Sequence, residues 1–163
     1  MRKYIPIHED DALRPHGLLT LGSRFRRLGE RLQAETQVIL DELAPGIPSS
    51  AHPLLAFLDG PEPRSISEIA RALGTAQPGV TRMVTRLSAR GFVSVGTSPE
   101  DARLRLVALT PDGRALLDQA RATAWPRVLA AVTDLCAPFG PELLERLDML
   151  ETRLATKPLK DRA

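Results

Sequence analysis

Several kinds of residue and motif are scarce or missing from this chain. There is one cysteine in 163 residues, so an intrachain disulfide is impossible and a reducing, cytoplasmic setting is expected. His8, His16 and His52 are scattered through the first third with no second ligand at helical or hairpin spacing, so no metal centre is expected. There is no P-loop, GxGxxG, HExxH or CxxC, and no nucleophile, base and orienting group fall together, so neither a cofactor nor an enzyme is expected. Nowhere do apolar residues run unbroken for the roughly 18 positions that a membrane helix needs. Residues 1–11 carry acids and a proline without the apolar core of a leader, so neither a membrane partner nor a signal peptide is expected. Internal repeats and low-complexity segments are also absent. Lysine is scarce, and 22 Lys+Arg against 20 Asp+Glu leave a formal charge of only +2. Any case for a polyanionic partner therefore rests on where the arginines lie.

Residues 64–110 are the most informative stretch. Ser65 and Glu68 have capping-box spacing, and Ile66, Ile69, Ala70 and Leu73 follow at helical intervals up to Gly74, which suits a positive φ after a helix. A second helix is predicted from about Gln77, with Pro78 tolerated in its first turn. Its buried face is Val80, Met83, Val84 and Leu87, and its outward face is Gln77, Pro78, Thr81, Arg82, Thr85 and Arg86. Phe92, Val93 and Val95 then read as a strand, residues 97–102 as a turn, and Leu104, Leu106 and Leu109 as a returning strand with Arg103 and Arg105 on the other face. The predicted fold is mainly α with a small β-hairpin wing, a winged helix-turn-helix. A short, polar, basic helix face suits a major groove, where arginine reads guanine edges and threonine meets a polar partner or a thymine methyl. Arg64, Arg71 and Arg90 flank it as candidates for backbone phosphates. Glu68 is the only acid between Arg64 and Arg90.

The rest of the chain brackets this unit. Residues 1–14 read as an extended arm. From about residue 15 to 44 a long helix is predicted on Leu18, Leu21, Phe25, Leu28, Leu32, Ile39 and Leu43, and a Pro-containing break precedes a short helix at residues 52–58. After the wing, Thr110 caps a helix that begins at Pro111 and should kink or split near Pro126. A last helix is predicted over residues 142–154, followed by a loose basic tail. The helices at 15–44 and 111–155 carry more apolar surface than residues 50–110 can cover, so they are expected to be dimerisation helices within a single domain spanning 1–163. A two-fold dimer would set two recognition helices about 34 Å apart and read an inverted repeat.

Ser67-Glu68-Ile69-Ala70, Val80-Thr81-Arg82-Met83-Val84 with Leu87, Arg90-Gly91-Phe92-Val93, Asp101-Ala102-Arg103 and Leu109-Thr110-Pro111-Asp112-Gly113 together resemble the MarR family of winged-helix transcriptional regulators over roughly residues 18–154. The resemblance implies a homodimer that binds double-stranded DNA at a palindromic operator, most often as a repressor. Thr81 and Arg82 would be groove readers and Arg103 the wing arginine, with Asp101 orienting it and steadying the turn. Gly79 departs from the Ser or Thr common there, so an operator preference does not carry over. A small-molecule effector is also implied, in the angle between the first helix and the winged part, with His16, Leu19, Arg24, His52 and Trp125 as candidate walls. Trp125 has a competing reading as core or interface, and Cys136 reads as a small buried hydrophobe rather than a redox sensor. A different class of function stays open at this point: a winged-helix scaffold that offers the same face to a protein partner.

Overall fold

The computed structural model describes residues 11–101 and 103–162. Most of the arm expected at residues 1–14, His8 and Ala102 of the wing therefore lie outside the described residues. The chain divides into two compact units, Met1–Ala120 and Arg121–Ala163.

The first unit opens with a 3-10 helix, Arg14–Thr20, followed by α1, Leu21–Asp41. A continuous helix from residue 15 was expected, and Gly17 breaks it. This residue sits at φ 52° and ψ −129°, outside helical space, a conformation that glycine adopts without a Cβ clash. The Thr20 hydroxyl donates to the Leu13 and Gly17 carbonyls and so occupies acceptors that the break leaves over. Asp11 closes this region onto α1, accepting from both Arg27 Nη1 and Nη2 at 2.9 and 2.8 Å.

The loop after α1 is strapped to it by Gln37. Its Nε2 donates to the Ile47 carbonyl and to Asp41, and its Oε1 accepts from Ser49 N at 2.6 Å. A 3-10 turn, Ser49–Ala51, then leads into α2, His52–Phe57, whose Leu54 and Leu55 are fully buried. Strand β1, Arg64–Ser65, is a short edge strand just before the first motif helix.

Helix α3, Ile66–Ala72, starts on the predicted capping box: the Ser65 hydroxyl accepts from Glu68 N, and Glu68 Oε2 accepts from Ser65 N at 2.8 Å. Gly74 has φ +59° where the turn requires it. Helix α4, Gln77–Ala89, buries Val80, Val84 and Leu87 against α3 and β2, and Met83 is half-buried. Strands β2, Val93–Thr97, and β3, Arg105–Leu109, form the antiparallel hairpin, and β1 adds to β3 to give the sheet order β1-β3-β2. The core joins Leu40 and Ile47 to Leu54, Leu55, Ile69, Val80, Leu87, Val93 and Val107. It is this core that sets the height of α4 against the hairpin.

Helix α5, Pro111–Ala122, is capped by Thr110, whose hydroxyl accepts from Gly113 N at 3.0 Å and donates to the Gly91 carbonyl at 2.6 Å. The helix ends at Ala122 and a new one starts at Ala124, so the expected interruption falls just ahead of Pro126, which occupies the first turn of α6. The second unit consists of α6, Ala124–Cys136, a 3-10 turn, α7, Glu142–Thr156, and a final 3-10 turn, Leu159–Asp161, where a loose tail was expected. Within it Leu129, Leu144 and Met149 are each at least 60% exposed. Cys136, expected to be buried, is half-buried, because it lines an open groove of about 440 Å³ with residues of α6 and α7. No helix of the described residues is long and apolar enough to cross a membrane.

Candidate nucleic-acid interface

Helix α4 presents Gln77, Pro78, Thr81, Arg82, Thr85 and Arg86 to solvent, and all six are exposed. The apolar periodicity accounts for this: with Val80, Val84 and Leu87 committed to the core, the remaining positions have only the outside left to them. Two hydroxyls on the face are turned inward. Thr81 donates to the Gln77 carbonyl at 3.0 Å and Thr85 to the Thr81 carbonyl at 2.9 Å.

The electrostatics of the face follow from what lies around it. No aspartate or glutamate occurs between Glu68 and Glu100. Glu68 is occupied by its cap; hydrogen bonds from the Ser65 hydroxyl and backbone, helped by Arg64 and Arg71, hold its carboxyl below the usual range. Arg71, on the last turn of α3, is exposed and adds to the positive field.

The flanking arginines are not equivalent. Arg64 is half-buried, with its guanidinium over the Phe57 ring at 5.6 Å. Arg90 lies over Phe92 at 5.6 Å and donates to the Pro45 carbonyl at 2.8 Å, which ties the end of α4 to the loop after α1. Both are thus structural ties as well as cations on this side of the molecule. Gln37 and Pro45, which fix that loop, were not singled out by sequence reasoning; no periodicity marks a hydrogen bond reaching over 10 or 45 residues.

At the wing, Ser98 N donates to the Leu104 carbonyl and Leu104 N to the Asp101 carbonyl, so the tip is closed by its own backbone. Asp101 Oδ1 accepts from Arg103 N at 2.9 Å, an Asx-type turn that steadies the tip through the backbone rather than through the guanidinium. Arg103 and Arg105 are exposed, so the hairpin carries two guanidinium groups at its distal end.

The candidate effector residues lie on different elements. His16 and Leu19 are exposed on the first 3-10 helix. Arg24 lines a groove of about 350 Å³ on α1 with Leu21, Phe25, Arg27, Leu28 and Arg31. His52 is buried at the start of α2, and burial lowers its pKa toward the neutral imidazole. Trp125 belongs to the second unit, where Arg121 lies over its ring at 5.7 Å. Among the described residues no group of three or more His, Cys, Asp or Glu side chains is placed to hold a metal ion.

Comparison with known proteins fits this geometry. A model of the MarR family matches residues 46–104, which hold α2, both motif helices and most of the wing. Curated protein sequences include no match. Among solved structures, the chain is similar to a probable transcriptional regulator from Pseudomonas aeruginosa at 25% identity and a TM-score of 0.63, covering 82% of this chain and 95% of that one. It is similar in fold to a mutant MarR from E. coli complexed with operator DNA (22% identity, TM-score 0.62, 84% and 97% covered). A third similar structure is BpsR of Bordetella bronchiseptica, whose DNA binding is regulated by 6-hydroxynicotinic acid (23% identity, TM-score 0.56, 82% and 99% covered).

Proposed function

We propose that the chain, whose residues 46–104 match a MarR family model and which is similar to a transcriptional regulator at 25% identity, is a MarR-like, sequence-specific DNA-binding transcriptional regulator that inserts α4 into a major groove and sets the wing against the adjoining backbone. The observation that carries this reading is the exposed, acid-free face of α4, with Arg82 and Arg86 beside a hairpin that ends in Arg103 and Arg105. Guanidinium groups on the helix fit guanine edges and those on the wing fit phosphates or a narrow minor groove. Arg71 sits where the first motif helix would approach the backbone.

The protein acts as a homodimer in the cytoplasm, in this reading, on an inverted repeat with half-sites one turn apart, and as a repressor. Support for a dimer comes from the apolar side chains that each unit leaves in water, such as Leu28 and Val38 in the first and Leu129, Leu144 and Leu154 in the second. Burying such surface contributes roughly 25 cal/mol per Å². A small-molecule effector that favours one spacing of the two recognition helices would release the operator, since only differential affinity for two states shifts an equilibrium. The BpsR neighbour supports that part of the proposal, and the Arg24 groove is where we would look for the ligand.

The test is selection of bound duplexes from a random library at low and moderate salt, followed by titration of wild type and Arg82→Ala. An enriched inverted repeat is expected, and loss of Arg82 should weaken specific binding by about 1–3 kcal/mol. Equal binding of specific and random duplex by both proteins would overturn the groove-reading role and favour a protein partner for this face.

A further inference from the structure

We infer that Thr81 and Thr85 make the centre of the α4 face a reader of thymine methyl groups, so that each operator half-site carries A·T pairs under the middle of the helix. This rests on the DNA-binding reading above and adds which bases the surface selects.

The argument starts from which groups the face can offer. Taking about 100° per residue, Thr81, Thr85 and Pro78 lie within about 60° of one another, with Gln77 on one side and Arg82 then Arg86 on the other. The donors of the face are therefore at its edges. Pro78 has no N–H and an apolar ring. The hydroxyl hydrogens of Thr81 and Thr85 are directed into the helix, to the Gln77 carbonyl at 3.0 Å and the Thr81 carbonyl at 2.9 Å. Each of these bonds also fixes χ1, so the methyl group takes one position and is the part of the side chain not held against the backbone. A stripe of one ring and two methyl groups remains, accompanied only by acceptor lone pairs.

Base pairs answer such a stripe unequally. In the major groove, a G·C pair offers two acceptors, guanine N7 and O6, which would face threonine oxygens already without a free donor, and one donor, cytosine N4, but no methyl group. An A·T pair offers the thymine C5-methyl group and the adenine N6 donor, which match a threonine methyl and a threonine lone pair. Thr81 and Thr85 are separated by about 6 Å along the axis, somewhat less than two base steps, so the two contacts fall on different pairs. Guanines are left to the Arg82 and Arg86 edge.

The experiment uses the full chain and duplexes enriched from a random library. Thymines under the helix are replaced one at a time by deoxyuridine, which removes the methyl group and keeps Watson–Crick pairing. Wild type should lose about four-fold in affinity at each contacted thymine, the factor expected for one buried methyl-sized group, and nothing at thymines outside the half-site. Thr81→Ser and Thr85→Ser keep the hydroxyl and lose the methyl; each should bind the thymine duplex more weakly and show no further loss with deoxyuridine at its own position. Thr85→Val keeps a methyl and should keep the penalty. Melting curves of the variants establish that folding is unchanged. Uridine substitution without effect, or an equal effect in the serine variants, overturns the inference while leaving DNA binding intact, as would half-sites with no A·T pair under the helix. A library that enriches nothing would remove the DNA-binding reading, and the inference with it.

Discussion

Gly113 offers a sharp test of how the end of α4 is held. It lies in the first turn of α5, and a Cβ built there would sit 1.9 Å from the Phe92 carbonyl oxygen and 2.9 Å from its carbon. Both atoms are backbone, so no side chain can swing away, and the two segments would have to part by more than an ångström. Three hydrogen bonds span the junction: Thr110 N to the Phe92 carbonyl at 3.1 Å, the Thr110 hydroxyl to the Gly91 carbonyl at 2.6 Å, and Gly113 N to the Thr110 hydroxyl at 3.0 Å. Losing them would cost about 1 kcal/mol each. Overpacking adds roughly 1–3 kcal/mol, and the helix propensity of alanine returns at most about 1 kcal/mol. Gly113→Ala should therefore destabilise the protein by about 3–5 kcal/mol, a fall in Tm of roughly 6–20 °C at this chain length. The control is Gly79→Ala, whose Cβ would meet only the Thr75 methyl, at 3.3 Å; it should melt within about 4 °C of wild type, since alanine gains at most about 1 kcal/mol of helix propensity there. Thermal denaturation followed by circular dichroism reads both. A Gly113→Ala protein that melts with wild type would refute the close approach of α5 to the end of α4.

Other ties give further expectations. Ser65→Ala removes the buried hydroxyl that accepts from Glu68 N and bonds Glu68 Oε2 at 2.7 Å; a cost of about 1–2 kcal/mol is expected, read as a lower denaturant midpoint, and no change would mean the cap is not formed. Gln37→Ala strands the Ile47 carbonyl and Ser49 N and should cost about 1–3 kcal/mol, with unchanged stability counting against the strap. Asp11 is held at about 2 against an ordinary 3.8, first by the Arg27 hydrogen bonds and then by Leu13 N. Because the folded value is the lower one, its stabilisation is complete above about pH 4 and is lost as pH falls toward 2. Asp11→Asn should flatten that part of the acid unfolding curve, and a curve that overlays wild type would refute the pairing.

What could be read in advance was what short-range chemistry encodes. The Ser65 and Glu68 cap, the positive φ of Gly74, the split ahead of Pro126 and the two faces of α4 each depend on residues within about one turn of one another, and each appears in the structure. The break at Gly17 was missed because leucines keep their helical spacing on both sides of it, and periodicity outweighed one glycine. The arginines show a different limit. Arg64, Arg86 and Arg90 look alike as letters near a basic helix, but Arg64 and Arg90 are seated over phenylalanine rings that only the folded chain brings beneath them, and Arg90 also reaches a carbonyl 45 residues away. Sequence position marks where positive charge collects, while tertiary contacts decide which guanidinium is spent on the fold.

Those contacts also hold α4 rigid, as the proposed reading role requires. Its C-terminal end is fixed from two directions: Arg90 fastens it to the loop that Gln37 straps to α1, and the Gly91 and Phe92 carbonyls fasten the following turn to the cap of α5. Its N-terminal end has no side-chain cap and begins on exposed Gln77 and Pro78. In the proposed complex, a helix anchored behind and open in front would deliver the side chains of its first turns to a groove at a height set by the core. Movement of α1 or α5 would then be transmitted to α4 through few and identifiable bonds. If that is how an effector acts, loosening Gln37 or the Gly113 contact should weaken specific DNA binding more than it weakens salt-dependent binding to random duplex, because only the former requires the helix to keep one orientation.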